Sequence, residues 1–295
     1  MTSHLQLVAV LLLAAVNLAL LARARPALAG TTLTAPWSWC VAAVVAIAGS
    51  ETLIATGIPG DHAAWIEPLR YVASLGTLCP AMAVLGAKRP QDRGWQWVVL
   101  SLWLVLAVPA AHAVVTQTGT RFELHLAWKM TLGIMLFLEV LNYAMTRHLI
   151  GVLLFASAQV ILLLPYLSTE LHPSTGYIVA AMGLLMLAEL ATWRQGQRIN
   201  REPGNIQDIW RRFRNDYGAF WTFRVMGLIN QTAIASAWPI ALFPDGFYRV
   251  PDDEGNPLPE AEIYPLSEIP PELQSSVNQA LRTTLRRFLS AADLK

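Results

Sequence analysis

Three glutamates, Glu51, Glu139 and Glu189, stand in stretches of the chain that are otherwise apolar. In a membrane span an acidic side chain costs roughly 2.5–3.5 kcal/mol at the centre on insertion scales, so each is a functional candidate by default. Glu139 and Glu189 fall at similar depth, and neither has a Lys or Arg at its level. If they converge, one acid could carry or relay a proton; the structural alternative is a pair of neutral acids that donate hydrogen bonds between helices. Asn142 follows Glu139 by three residues and shares its helical face, while Asn17 and Gln159 add polar groups to the middle and inner half of other stretches. These five residues form a candidate intramembrane polar cluster. Glu51 has a simpler prospect. Arg70 opens the next apolar stretch at the same end, across a short hairpin, and an ion pair between them is expected.

Other chemistry is thinly represented. His112 and His125 end one stretch and begin the next, and two histidines at equal depth are able to ligate a b-type haem; no second pair stands at the other side. His62 and Glu67 have an H-x4-E spacing similar to that of lipid acyltransferases, but with Glu where that pattern has Asp. Cys40 and Cys79 lie inside apolar runs and read as small packing residues. H-E-x-x-H, G-x-S-x-G, C-x-x-C and a phosphate-cradling glycine loop do not occur.

The elements that must position these groups are membrane spans. Of 295 residues, 55% are hydrophobic and 14% charged, where a soluble domain is about a quarter charged. The charges are uneven: residues 1–198 hold 11 Lys/Arg and 8 Asp/Glu, and residues 199–295 hold 10 and 12. This divides the chain into a transmembrane domain, 1–198, and a water-facing tail, 199–295. Crossing the hydrocarbon takes roughly 17–25 apolar residues per helix. Seven stretches qualify, at 5–21, 37–57, 71–87, 97–115, 126–143, 149–167 and 177–193.

With the N-terminus outside, the inner side receives Arg23, Arg25, Lys88, Arg89, Arg93, Arg147, Arg194 and Arg198, and the outer side only Arg70, Arg121 and Lys129. Basic residues accumulate on the cytoplasmic side, so the expectation is an all-α bundle, N-out and C-in. Trp37, Trp39, Trp95, Trp97, Trp128 and Trp193 fall at the predicted span ends, where amphipathic rings suit the headgroup region. Met1–Gln6 carries no Lys or Arg and the basic residues follow the first run, which fits a span better than a signal peptide, although Ala27-Leu28-Ala29 leaves cleavage open. Ala42, Ala46 and Ser50 offer a small-residue face on the second span. Pro80 and Pro109 should kink the third and fourth.

In the tail, Ile206, Trp210, Phe213, Tyr217, Phe220 and Trp221 recur at helical spacing, predicting an amphipathic helix over about 206–237. With Arg211, Arg212 and Arg214 off the stripe, this helix is expected to lie on the inner membrane surface. Val225–Phe243 carries no charge but is too polar for a good eighth span. A turn and loop over 239–270 and a second amphipathic helix over about 271–290 complete the tail.

The segments FRNDYGAFWTFRVMGLIN (213–230) and WPIALFPDGF (238–247) resemble the tail of an uncharacterised planctomycete-type family of polytopic bacterial membrane proteins. The resemblance covers mainly the tail; it implies residence in the bacterial cytoplasmic membrane and carries no activity or site residues. The topology is also similar to that of bacterial seven-helix sensor regions, but the tail holds no histidine to accept a phosphoryl group.

The function expected is therefore a non-enzymatic integral membrane protein, a sensor, scaffold or accessory subunit, with the lipid bilayer around it and a protein partner at its tail. A proton- or solute-translocating protein using the buried glutamates and a membrane-interface lipid enzyme are the alternatives. The net charge of +1 argues against a nucleic-acid partner.

Overall fold

The computed structural model describes residues 2–57, 65–116, 122–168, 170–197, 206–249, 271–290 and 294. Its described residues contain seven helical segments long and apolar enough to cross a membrane. They are α1 (Thr2–Ala24), α2 (Thr34–Ala55), the pair α3 (Ile66–Leu75) and α4 (Cys79–Leu85), α5 (Gln91–Thr116), α6 (Leu126–Tyr143), α7 (Leu149–Leu167) and α8 (Thr175–Gln197). Seven apolar stretches have thus become an all-α membrane bundle, because a chain in lipid must satisfy its backbone polar groups within each segment.

In the bundle, α8 packs against both α1 and α7, and α2 packs against α1 and the third span. The outward faces stay apolar, as at Leu104, Val105 and Val108 on α5 and Phe137, Leu138 and Leu141 on α6. On α2 the inward face is Ala43, Val44, Ile47, Ser50 and Glu51; of the expected stripe Ser50 is buried, Ala46 half-buried and Ala42 exposed. Ala43 is the residue against which Gly76 of the third span packs closely.

The two prolines behave differently. The third span is interrupted by a 3-10 turn at Gly76–Leu78, and Pro80 sits in the first turn of α4. A proline ring cannot accept the helix carbonyl four residues before it, and Gly76 is that residue. By contrast α5 runs continuously past Pro109.

The tail is α9 (Ile206–Ala235), a two-stranded antiparallel hairpin of β1 (Ile240–Phe243) and β2 (Gly246–Arg249), and α10 (Pro271–Leu285). Residues 240–249 were expected in a loop and are a hairpin around Pro244-Asp245; no eighth span forms. The acidic, proline-rich stretch 251–270 lies outside the described residues. α9 is broken at Gly218, whose φ of 75° and ψ of −175° are non-helical.

The tail is not separate from the bundle. Its aromatic stripe (Trp210, Phe213, Tyr217 and Trp221) is buried with Val277, Leu281, Leu285 and Phe288, and Val84 and Ala87 at the end of the third span belong to the same core. Polar ties reinforce the contact. Tyr217 Oη donates to Phe288 O at 2.9 Å and lies 3.0 Å from Thr32 Oγ1, which itself donates to Ala87 O at 2.7 Å. Burial pushes the Tyr217 phenol well above its ordinary range, keeping it a donor. Trp221 Nε1 donates to Val84 O at 2.8 Å, and Arg89 N to Arg287 O at 2.9 Å.

Candidate functional site

At the end of the bundle that carries the tail, a cavity of about 820 Å³ lies among the spans. Glu139 of α6 and Glu189 of α8 both line it, and Cys40 of α2 is close to both carboxyl groups. The walls are mostly apolar, with Leu21, Val44, Ala81, Phe155 and Leu185 among them. Both acids sit within the last turns of their helices before the tail-side end. Their Oε2 atoms are buried and have no hydrogen-bond partner. Unmade hydrogen bonds of buried polar groups are costly, about 1–3 kcal/mol each and more when charged, and native proteins keep few of them without a reason.

The lining also holds the basic side chains Arg23, Arg147 and Arg212 and the imidazole of His148, together with Tyr143, Trp193, Asn215 and Asp216. Arg23 stacks 4.8 Å over the Trp193 ring. His148 Nε2 lies 3.7 Å from Asp216 Oδ1 and its Nδ1 3.2 Å from Gln195 Oε1. Arg23, Arg147 and Arg212 form no ion pair with another described residue. Arg212, Asn215 and Asp216 belong to α9, so the tail supplies part of the enclosure.

The five residues of the expected polar cluster divide. Glu139 and Glu189 share the cavity, and Gln159 is a close neighbour of Glu139. Gln159 Nε2 donates to Thr77 O at 2.8 Å, a carbonyl within the break in the third span. That is the compensation a broken membrane helix requires. Asn17 ties α1 to α8, donating to Leu13 O at 2.8 Å and Met182 O at 3.2 Å. Asn142 does not join Glu139. Its Oδ1 accepts from Phe220 N at 2.9 Å, capping the second half of α9 from another helix, since the first amides of a helix lack partners within it.

At the opposite end, Glu51 and Arg70 form the ion pair: Nε to Oε1 is 2.6 Å and Nη2 to Oε2 2.9 Å. Arg70 also donates to Pro173 O at 3.2 Å and Thr175 Oγ1 at 3.0 Å, and Thr175 donates to Glu51 Oε2 at 2.9 Å. The pair therefore locks α2, α3 and the start of α8. Beside it Tyr71, Phe122 and Tyr166 pack ring on ring, with centroids 5.0–5.7 Å apart.

Two expectations for the tail are overturned by its packing. Trp210, Phe213 and Trp221 do not meet lipid: they are the tail's core, and Trp210 Nε1 donates to Phe243 O at 2.8 Å. Arg211 and Arg214 are engaged within the tail: they donate to Asp245 O at 3.1 Å and Pro244 O at 3.0 Å, holding the hairpin turn. Burial lowers the Arg214 pKa from its usual value. Arg212 alone of the three faces the cavity. Stripe periodicity fixes which residues share a face, and α10 with the hairpin decides what covers it.

His112 and His125 are both exposed, and His125 Nδ1 caps α6 by accepting from Ala127 N at 3.3 Å. His62 lies outside the described residues, and Glu67 is used by Phe122 N, which donates to its Oε2 at 3.3 Å. Among the described residues no three His, Cys, Asp or Glu side chains are grouped to hold a metal ion. Sequence reasoning missed that Cys40, Tyr143, Arg147, Asn215 and Asp216 line the same cavity as the acids. The one local signal was Gly218, a helix breaker inside an aromatic stripe. No protein-family model matches the chain, and no curated protein or solved structure is similar to it.

Proposed function

We propose that this protein is a non-enzymatic membrane binding module, a sensor or accessory subunit. A small amphipathic ligand occupies the tail-side cavity, and the docked tail responds to its occupancy. One observation carries the reading: two carboxyl groups, each with a buried oxygen that has no partner among the described residues, line a single cavity that the tail helps to enclose. The volume falls within the range of small-molecule sites, roughly 300–1,000 Å³, and apolar walls with a few polar groups are their usual lining. A ligand with an apolar body, a hydrogen-bonding group toward Glu139 and Glu189, and an acidic group toward Arg23, Arg147 and Arg212 suits this lining. The basic-loop bias favours a cytoplasmic tail with the cavity on the same side, and the resemblance of the tail favours a bacterial cytoplasmic membrane.

The test is purification of the full chain in mild detergent, followed by native mass spectrometry of bound small molecules and thermal melting. A bound species is expected, and it should be lost in Glu139→Gln, in Glu189→Gln and in Val152→Phe, which fills the cavity, while the unliganded melting temperature stays close to that of the parent. An empty cavity, or unchanged retention in all three variants, would refute the reading.

The second reading is proton or solute translocation through the same acids. The cavity-lining residues all lie in the tail-side half of the spans, and the Glu51–Arg70 pair with its aromatic neighbours packs the other half. That arrangement suits one-sided binding better than passage. Proton flux in proteoliposomes, abolished by either glutamine variant, would reverse this preference. No described residue set supports the lipid-enzyme alternative.

A further inference from the structure

Residues 219–235, the second half of α9, form a helix with two apolar faces. One face, Trp221, Val225, Ile229 and Ala233, is buried in the tail core. The other carries Phe220, Phe223, Leu228 and Ile234, at spacings of three to six residues and between 39% and 82% exposed, with the exposed Arg224 and Gln231 on the same side. Arg224 is the only charged residue in the segment. A helix face turned to water ordinarily carries charges, and an uncovered apolar stripe of this kind marks an interaction surface.

The position of the segment identifies what covers it. Trp221 bonds to Val84 at the end of the third span, and Phe220 N bonds to Asn142 at the end of α6. The segment therefore starts at the level where the spans end. Its exposed stripe begins at Phe220, bonded to Asn142, the neighbour in sequence of Leu141, which with Phe137 and Leu138 forms an α6 face between 51% and 64% exposed. That α6 face belongs to a helix long and apolar enough to cross a membrane, so hydrocarbon is the neighbour expected for it. Arg224 stacks over the Phe220 and Trp221 rings at 5.5 and 5.4 Å, the posture of a basic side chain whose charge stays at the headgroups while its stem follows apolar surface.

We propose that residues 219–235 are an interfacial helix embedded in the bilayer, with Phe220, Phe223, Leu228 and Ile234 in lipid, continuing the α6 lipid face. The membrane contact of the tail thus lies on the side of α9 opposite to its buried aromatic stripe. The inference stands whether or not the cavity binds a ligand.

The test uses the unmodified full chain in nanodiscs of phosphatidylethanolamine and phosphatidylglycerol doped with a diazirine phospholipid. After photolysis, adducts are mapped by peptide mass spectrometry, with the α6 face as the positive reference and the exposed Glu272, Ser275 and Ser276 of α10 as the negative one. Labelling of Phe220, Phe223, Leu228 and Ile234 is expected to match that of Phe137, Leu138 and Leu141 and to exceed that of α10 severalfold. Labelling no greater than that of α10 would overturn the proposal. So would protection from lipid together with cross-links between two copies at these residues, which would make the stripe a protein–protein contact.

Discussion

Gly218→Ala is the substitution expected to separate the tail from the bundle. The residue holds φ at 75° and ψ at −175°, a region that is essentially glycine-only, and holding an alanine there costs about 1–3 kcal/mol. A Cβ at this position also meets Asn142, with Cγ and the backbone oxygen each 2.7 Å away. Relieving such overpacking costs about 1–3 kcal/mol more. The sum, about 2–6 kcal/mol, falls on the docked state, because an undocked tail relaxes both strains. At about 1.4 kcal/mol per factor of ten, that is a rise of between ~30-fold and ~10⁴-fold in opening. Hydrogen exchange read by mass spectrometry measures it. Amides of residues 206–235 should exchange faster by at least the lower factor, while those of α7 and α8 hold their rates. Asn142→Ala in the same chain should recover only part of the loss, since the backbone oxygen and the strained φ remain. Unchanged exchange in α9, or equal acceleration throughout the bundle, would refute the reasoning.

Arg70→Leu leaves Glu51 buried without its partner and should destabilise the bundle by about 3–5 kcal/mol, whereas the double variant with Glu51→Leu should recover most of that loss; a thermal-melt cycle in detergent checks both. Gln159→Leu leaves the Thr77 carbonyl unpaired beside the break in the third span and should cost about 1–3 kcal/mol, seen in the same assay. Trp221→Phe removes the bond to Val84 O at a similar cost, and hydrogen exchange should place the effect in the tail. Reporter fusions after Gly119 and after Arg201 should read outside and cytoplasm respectively; the opposite pair would invert the orientation.

The spans were legible in the sequence because the requirement is local. About twenty apolar residues in a row suffice to cross the hydrocarbon, whatever they pack against, so α6 and α7 have the bounds their composition predicts. Glu51 and Arg70 were legible for a related reason: a short hairpin leaves two opposite charges at one depth little choice. The break in the third span likewise followed from Pro80. Which groups meet across the bundle is different, because it depends on how helices rotate and on what arrives from far along the chain. Asn142 shares a face with Glu139 in sequence, but the turn at Gly218 brings Phe220 N to it and takes it into the tail. Trp210, Phe213, Tyr217 and Trp221 announce an apolar face, and periodicity is silent on whether lipid or protein covers it; α10, about sixty residues on, supplies the cover. The cavity is the extreme case. Its lining comes from α1, α2, α4, α6, α7, α8 and α9, and only their packing puts Glu139, Glu189 and Cys40 around one space with Arg23, Arg147 and Arg212.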